Sequence, residues 1–253
     1  MWTFFLIILL LVILGWFRPL LHPTHPVLPV LLIGPLGNPP AAEKNKSRWI
    51  STTRLEKLFK LLQQKNFTPV FPSEIVSRKL PKNPVLLVFN NGYQSIYQQA
   101  FPLLQQYHFK AAVAIPVGLI GQYDVWETNS PWQNLLTNDQ IKQLLACKQI
   151  EFISQGVDNT PLDSLSDEIA VWQLRESKFR FKKQYRRILR AFLFARNTPQ
   201  HPALLTAAQK EYAFSIGHTP GNNRLPLSAD PLHIFSLTAH TSLLRLSWKL
   251  RRF

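Results

Sequence analysis

Apolar residues along this chain gather into short runs separated by amphipathic stretches. Residues 27–34 (VLPVLLIG), 66–71 (NFTPVF), 83–90 (NPVLLVFN), 110–121 (KAAVAIPVGLIG), 150–156 (IEFISQG), 190–197 (RAFLFARN), 213–218 (AFSIGH) and 232–240 (LHIFSLTAH) read as strands, most of them closed by Gly, Pro or Asn. The run at 83–90 is continuously apolar, as expected of a strand buried on both faces of a parallel sheet. Between the strands the spacing changes. Leu55, Leu58, Phe59 and Leu62 recur at helical intervals behind a Thr53/Glu56 capping-box pattern. Ser73 precedes a short helix (EIVSRKL), residues 93–108 are amphipathic, and Thr137 caps residues 138–149. Residues 166–189 form a long helical pattern and 202–212 a shorter one. Strand and helix alternate throughout, which predicts an α/β fold: a parallel sheet of about seven βα units with its helices outside, close to a barrel in number.

In such a fold, function gathers at the C-terminal ends of the strands. Asn90 and Asn91 occupy one such end, and Gln155, Asn159, Arg196 and His240 occupy others. The pair at 90–91 poses the central chemical question. Asparagine matches aspartate in size and hydrogen bonding, but it is uncharged, is no general base and is a poor metal ligand.

Before the first strand, residues 2–17 (WTFFLIILLLVILGWF) are uninterrupted apolar sequence with Trp near both ends. A helix of that length spans roughly 24 Å, and extension to residue 21 with Arg18 snorkelling brings it nearer the ~30 Å hydrocarbon core. There is no basic leader and no small-residue cleavage site, so residues 1–21 read as one uncleaved transmembrane anchor in preference to a cleaved signal peptide. Residues 22–30 form a Pro-rich connector in which prolines flank His22 and His25, excluding helical metal-ligand spacing. The remaining 27–253 make one domain. Only Arg18 lies on the anchor's flank, so charge leaves the membrane side open, with a mild cytoplasmic bias from the basic domain.

The formal net charge is +15, from 29 Lys and Arg against 14 Asp and Glu. Such a balance points to an anionic neighbour or to plain solubility. Residues 177–190 (SKFRFKKQYRRILR) interleave basic and apolar side chains, and on one helix they give an apolar side and a basic side. That helix suits anionic lipid, an acidic polymer or nucleic acid, or is a solvated outer helix; the anchor favours lipid, and nucleic acid is the weakest candidate. The lone Cys147 excludes an internal disulfide and a Cys-rich zinc site, and reads as a small buried helix residue.

The order of strand ends resembles the polysaccharide deacetylase family, the NodB-homology group. Residues 84–121, beginning PVLLVFNNGY and continuing AFPLLQQYHFKAAVAI, are similar to the family's first motif region (TFDDGY, then AFPLLKKYGFKATFFI). Residues 153–166 (ISQGVDNTPLDSLS) resemble its second motif, and residues 191–197 and 233–240 fall where later motifs are expected. The resemblance implies a distorted (β/α) barrel, an extracytoplasmic domain, a polysaccharide partner, and a divalent metal, often zinc, held by one Asp and two His. A second Asp would act as base, and a His would act as acid. Carried onto this sequence, the base position is Asn90, the metal positions are Asn91, Gln155 and Asn159, and the acid position is His240. The base position and all three metal positions therefore carry neutral amides, so no resident metal is expected and the site reads as degenerate. Deamidation at Asn91-Gly92 would restore one ligand and no base.

Tyr93, Arg196 and Trp126 are the candidate substrate-binding residues, with Tyr123 and Trp132 as further groove aromatics; packing is the alternative role of the aromatics. Arg196 suits a saccharide, an anion or a carboxylate, and His240 is either an acid or a hydrogen-bonded strand-end residue. Asp158 is a displaced ligand or a loop cap. The leading expectation is a membrane-anchored glycan-binding or scaffold protein of envelope polysaccharide metabolism. The alternatives are an N-deacetylating hydrolase rebuilt around Asp124, Asp158 and His240, with zinc, and a basic membrane-surface or anionic-polymer module.

Overall fold

The computed structural model describes residues 27–128 and 130–250, without the side chain of residue 248. The strands are β1 (Val27–Leu28), β2 (Val30–Ile33), β3 (Thr68–Pro69), β4 (Pro84–Phe89), β5 (Ala111–Ile115), β6 (Ile150–Ser154), β7 (Ala191–Leu193), β8 (Phe214–Pro220), β9 (Asn223–Arg224) and β10 (Leu232–Leu237). Seven of them close a barrel of parallel strands in the order β2-β4-β5-β6-β7-β8-β10, with β10 returning to β2. β3 adds two residues beside the start of β4, and β1 pairs antiparallel with β9.

Period-two alternation sorts each strand into two layers. Val30 and Leu32, Leu86 and Val88, and Ala112 and Ala114 fill the barrel interior with Ile153, Leu193 and Ile216. Their neighbours Leu31, Ile33, Leu87, Phe89 and Val113 face outwards against the helices. Both layers are apolar, which is why β4 is buried at all six positions.

The helices are α1 (Thr52–Gln64), α2 (Pro72–Val76), α3 (Phe101–Gln106), α4 (Asn138–Ala146), α5 (Asp167–Tyr185), α6 (Pro202–Glu211) and α7 (Leu243–Lys249). Several boundaries differ from the sequence expectation, each for a local reason. α1 is capped by Ser51, whose Oγ accepts the Arg54 N–H at 3.2 Å, so the Thr53/Glu56 pair is already inside the helix. α2 starts at Pro72, and Glu74 accepts the Phe71 N–H at 2.7 Å in place of a Ser73 cap. Residues 96–100 form a π turn before α3, because Pro102 has no N–H for the preceding turn. Thr137 caps α4 as expected, and Cys147 is its half-buried C-cap.

The long helix α5 stops at Tyr185, four residues early. Arg186 takes the left-handed conformation at φ 56° and gives its N–H to the Lys182 carbonyl, ending the helix. Residues 186–190 are thus a loop, and 177–190 is not one continuous amphipathic helix. On α5 itself Leu174, Ser177 and Phe181 are buried, while Trp172 and Phe179 lie on the surface under Arg180 and Lys183.

The expected transmembrane anchor and most of the connector lie outside the described residues. Among the described residues no helix is long and apolar enough to cross a membrane. The last part of the connector, from Val27, is already strand.

Candidate functional site

The barrel's closure places the amides. Asn90 N–H binds the Ile33 carbonyl at 3.1 Å, tying the end of β4 to β2. Asn91 then turns left-handed at φ 63°, with Gly92 following at φ 62°. Asparagine tolerates that region better than most side-chain-bearing residues. The turn points the Asn91 side chain across the mouth. Its N–H binds Gln155 Oε1 at 2.9 Å, its Nδ2 binds the Tyr93 hydroxyl at 2.9 Å, and its Oδ1 accepts from Asn159 Nδ2 at 3.5 Å. Asn159 is also left-handed, at φ 65°. Residues 64 and 68 positions apart in sequence therefore meet in one buried cluster. Asn90 Oδ1 and Asn159 Oδ1 are buried in it without a hydrogen-bond partner.

This donor set does not fit the zinc ion that the resemblance implies. Gln155 Oε1 is committed to a backbone N–H, the remaining donors are neutral amide oxygens, and no group of three or more His, Cys, Asp or Glu converges among the described residues.

The other predicted residues take varied places. Tyr93 is only 1% exposed; it supports Asn91 from below and is part of the core, and burial pushes its phenol pKa up. Arg196, left-handed and exposed, gives its guanidinium to the Trp126 carbonyl at 2.9 Å. It pairs with a backbone oxygen and not with a carboxylate, and it ties the loop after β7 to the loop after β5. Trp126 packs half-buried against the core, its Nε1 unpartnered. Tyr123 and Trp132 stay exposed at 50% and 59%, with ring centroids 6.4 Å apart. Asp158 is a loop cap: its Oδ1 accepts from Thr160 N and from Gln173 Nε2. His240 is exposed in the turn after β10 and makes no hydrogen bond to the amide cluster among the described residues.

Sequence reading missed the charged lattice beside the cluster. Glu43 accepts from Asn45 N–H, Trp49 Nε1, Ser130 Oγ and Arg48 at 2.7–3.1 Å. Burial alone would raise its pKa; those hydrogen bonds outweigh burial and hold the carboxyl at about 2. Arg48 also reaches Glu127 at 2.6 Å. Asp124 is fully buried behind Tyr93, accepts the Gln133 N–H through Oδ1, and leaves Oδ2 unpartnered. Burial, helped by the nearby Glu127 charge, pushes its pKa up to about 6. His218, near the end of β8, was also missed; its Nε2 meets the Phe194 carbonyl at 2.7 Å and burial lowers its pKa. Its place at the end of "AFSIGH" was the available signal. For Glu43 and Arg48 there was none, since their loop carries no periodic pattern.

A polar cavity of about 250 Å³ opens beside the cluster, lined among others by Trp49, Tyr93, Gln94, Gln98, Gln99 and Asn134.

Comparison with known proteins agrees with this architecture. Residues 77–215, more than half of the chain, match the family model for polysaccharide deacetylase. The chain belongs to the polysaccharide deacetylase family. A poly-beta-1,6-N-acetyl-D-glucosamine N-deacetylase of Escherichia coli (strain K12) is 35% identical over 74 residues, 27% of this chain and 11% of that protein. YxkH of Bacillus subtilis (strain 168) is 24% identical over 144 residues, 57% of this chain and 48% of that one. The matches thus span from about a tenth to about half of these relatives' lengths. Among solved structures, Streptococcus pyogenes deacetylase PplD in complex with acetate superposes with a TM-score of 0.77 at 18% identity, covering 90% of this chain and all of that one. IcaB from Ammonifex degensii gives a TM-score of 0.72 at 18% identity, covering 90% and 98%. At such identity these structures bear on the fold alone.

Proposed function

We propose that this protein is a membrane-tethered member of its family whose barrel mouth binds or scaffolds polysaccharide in envelope metabolism without hydrolysing it. The observation that carries this reading is the closed amide cluster of Asn91, Gln155 and Asn159 beside Asn90, at the motif positions where the family resemblance implies carboxylates and imidazoles. An amide supplies neither a base for water nor negative charge for a cation. Amides are good partners for sugar hydroxyls, and the exposed Tyr123–Trp132 pair offers apolar faces to a sugar ring. The neighbouring cavity, rich in Gln and Asn, has the same neutral hydrogen-bonding character.

A rearranged hydrolase has one observation in its favour, the Asp124 carboxyl at about 6, which suits proton transfer near neutrality. Its complete burial behind Tyr93 weighs against contact with a polymer.

Metal content by elemental mass spectrometry after dialysis against zinc, with acetate release from N-acetylglucosamine oligomers, tests both readings. The expected result is no stoichiometric metal and no acetate, with the oligomers still retarded on affinity electrophoresis. One equivalent of metal with acetate release would overturn the proposal.

A further inference from the structure

At the opposite end of the barrel the N-terminal ends of the strands meet a second surface. A groove of about 710 Å³ opens there, lined by Ile75, Val76, Leu80, Phe214, Leu225 and Leu227 among others. Leu80, Leu225 and Leu227 pack on the barrel interior from below, so the groove is the exposed underside of the inner core. Val76 at its edge is 45% exposed, and Ile188, in the loop before β7, is 49% exposed. Val76 on the groove's rim and Ile188 elsewhere at the same end of the barrel are large apolar side chains whose exposure is a cost unless something covers them.

The loops around the groove are cationic. Arg78, Lys79 and Lys82 precede β4, Lys148 precedes β6, and Arg186 and Arg187 precede β7. All six are exposed, and none has an ion pair among the described residues. Lys110 and Arg190 on the same end do have partners, Glu74 and Glu151. Of the carboxylates in these loops only Asp230 stands apart from such a pair, held by Ser228.

The chain also enters the domain here. Val27 pairs with Arg224, immediately before the groove residues Leu225 and Leu227. Nine residues, 18–26, separate Val27 from the apolar run of residues 2–17. Nine residues span at most ~30 Å when fully extended, so a bilayer holding that run keeps this end of the barrel closest to it.

Resting on the membrane-tethered reading above, we infer that the base of the barrel is a docking surface for anionic phospholipid. Arg78, Lys79, Lys82, Lys148, Arg186 and Arg187 meet the headgroups, and Val76, Ile188 and the groove face the acyl boundary. Cations within a Debye length of an anionic leaflet are attracted additively, and apolar side chains among them add insertion. The amide cluster at the other end then faces away from the membrane, towards polymer.

The test uses the full chain with Cys147→Ser, placed in nanodiscs of phosphatidylcholine alone or of phosphatidylcholine with 30% phosphatidylglycerol. A nitroxide is attached at Ile188→Cys or, at the opposite end, at Trp132→Cys. In the anionic discs the probe at 188 should lose access to a water-soluble nickel relaxant at least threefold relative to neutral discs, and the probe at 132 should not change. Arg78→Glu/Lys82→Glu/Arg187→Glu, three exposed positions, should restore access at 188 with melting temperature unchanged. Equal access at 188 in both discs, or protection at 132 instead, would overturn the inference while leaving the tether intact. A chain that does not co-purify with either disc would remove the tether itself and the inference with it.

Discussion

At the mouth of the barrel Arg48 is closed between Glu43 and Glu127, whereas at the base Arg78, Lys82 and Arg187 meet no carboxylate among the described residues. Much of the charge at the mouth is spent inside the protein: four donors converge on one carboxylate and the cavity beside the cluster is lined by amide and aromatic side chains, although Lys44, Lys46 and Arg196 stay exposed there. At the base the cations are left without partners, around apolar side chains that folding does not cover. The amide-lined cavity at one end and the cationic, partly apolar base at the other are the surfaces proposed above for sugar hydroxyls and for anionic lipid. The net charge of +15 concealed this, because it averages the two ends.

The contrast can be broken from the mouth. Replacing the cluster as Asn90→Asp/Asn91→Asp/Gln155→His/Asn159→His should give a site that holds about one zinc. Calorimetry should then show a zinc-dependent rise in melting temperature, about 4 kcal/mol of stabilisation at a thousandfold excess over Kd. Absence of zinc binding in a folded variant would mean that the mouth's backbone, and not only its donors, is unfit for metal.

The Glu43 lattice should matter next. Its carboxyl is held at about 2 against an ordinary 4.5, a folded pKa below the unfolded one. Its contribution is therefore present above pH ~4.5 and lost as pH falls towards 2, and amounts to about 3 kcal/mol at most. Glu43→Gln should lower urea-unfolding stability at pH 7 by about 2–3 kcal/mol and flatten the acid limb. An unchanged acid limb would show that the lattice does not hold the mouth together.

Asp124 has the opposite sign. Its folded pKa of about 6 lies above the ordinary 3.8, so its contribution is full below pH ~3.8 and is lost as pH rises through 6. Asp124→Asn should flatten that decline and be more stable than the parent at pH 7 by about 2 kcal/mol. A parent curve flat between pH 4 and 6 would place the Asp124 carboxyl in contact with water.

The smallest effect belongs to the base. Val76→Ser and Ile188→Ser should change unfolding stability by less than about 0.5 kcal/mol, because these side chains are already half in water. A larger loss would make them part of the fold and not of a docking surface.

Much of the barrel was legible in the chain. β2, β4, β5, β6, β7 and β10 fall within predicted apolar runs and β8 overruns its run by Thr219 and Pro220; the match is cleanest at β2, β4 and β5, where burial on both faces leaves no polar position to blur it. The run at 66–71 yielded only Thr68–Pro69 as strand, its Pro69 lacking a ladder N–H. The end of α5 was illegible, because Arg186 closes it without Gly or Pro. At the site, Asn91, Gln155 and Asn159 were found at their strand ends and do meet. Tyr93 is mostly core and reaches only the edge of the polar cavity, Arg196 holds a carbonyl instead of a carboxylate, and His240 stands apart from the cluster.

By itself the sequence determined the alternation of strand and helix, the parallel barrel and the amide identity of the motif positions. Those follow from local periodicity and side-chain chemistry, which do not depend on distant partners. Only the tertiary structure decided that Gln155 answers the Asn91 backbone, that Ser130 closes on Glu43 from 87 positions away, and that cations from three separate loops share one end. These are contacts and proximities between segments far apart in the chain. Barrel closure, with every strand parallel, sets which loops share an end.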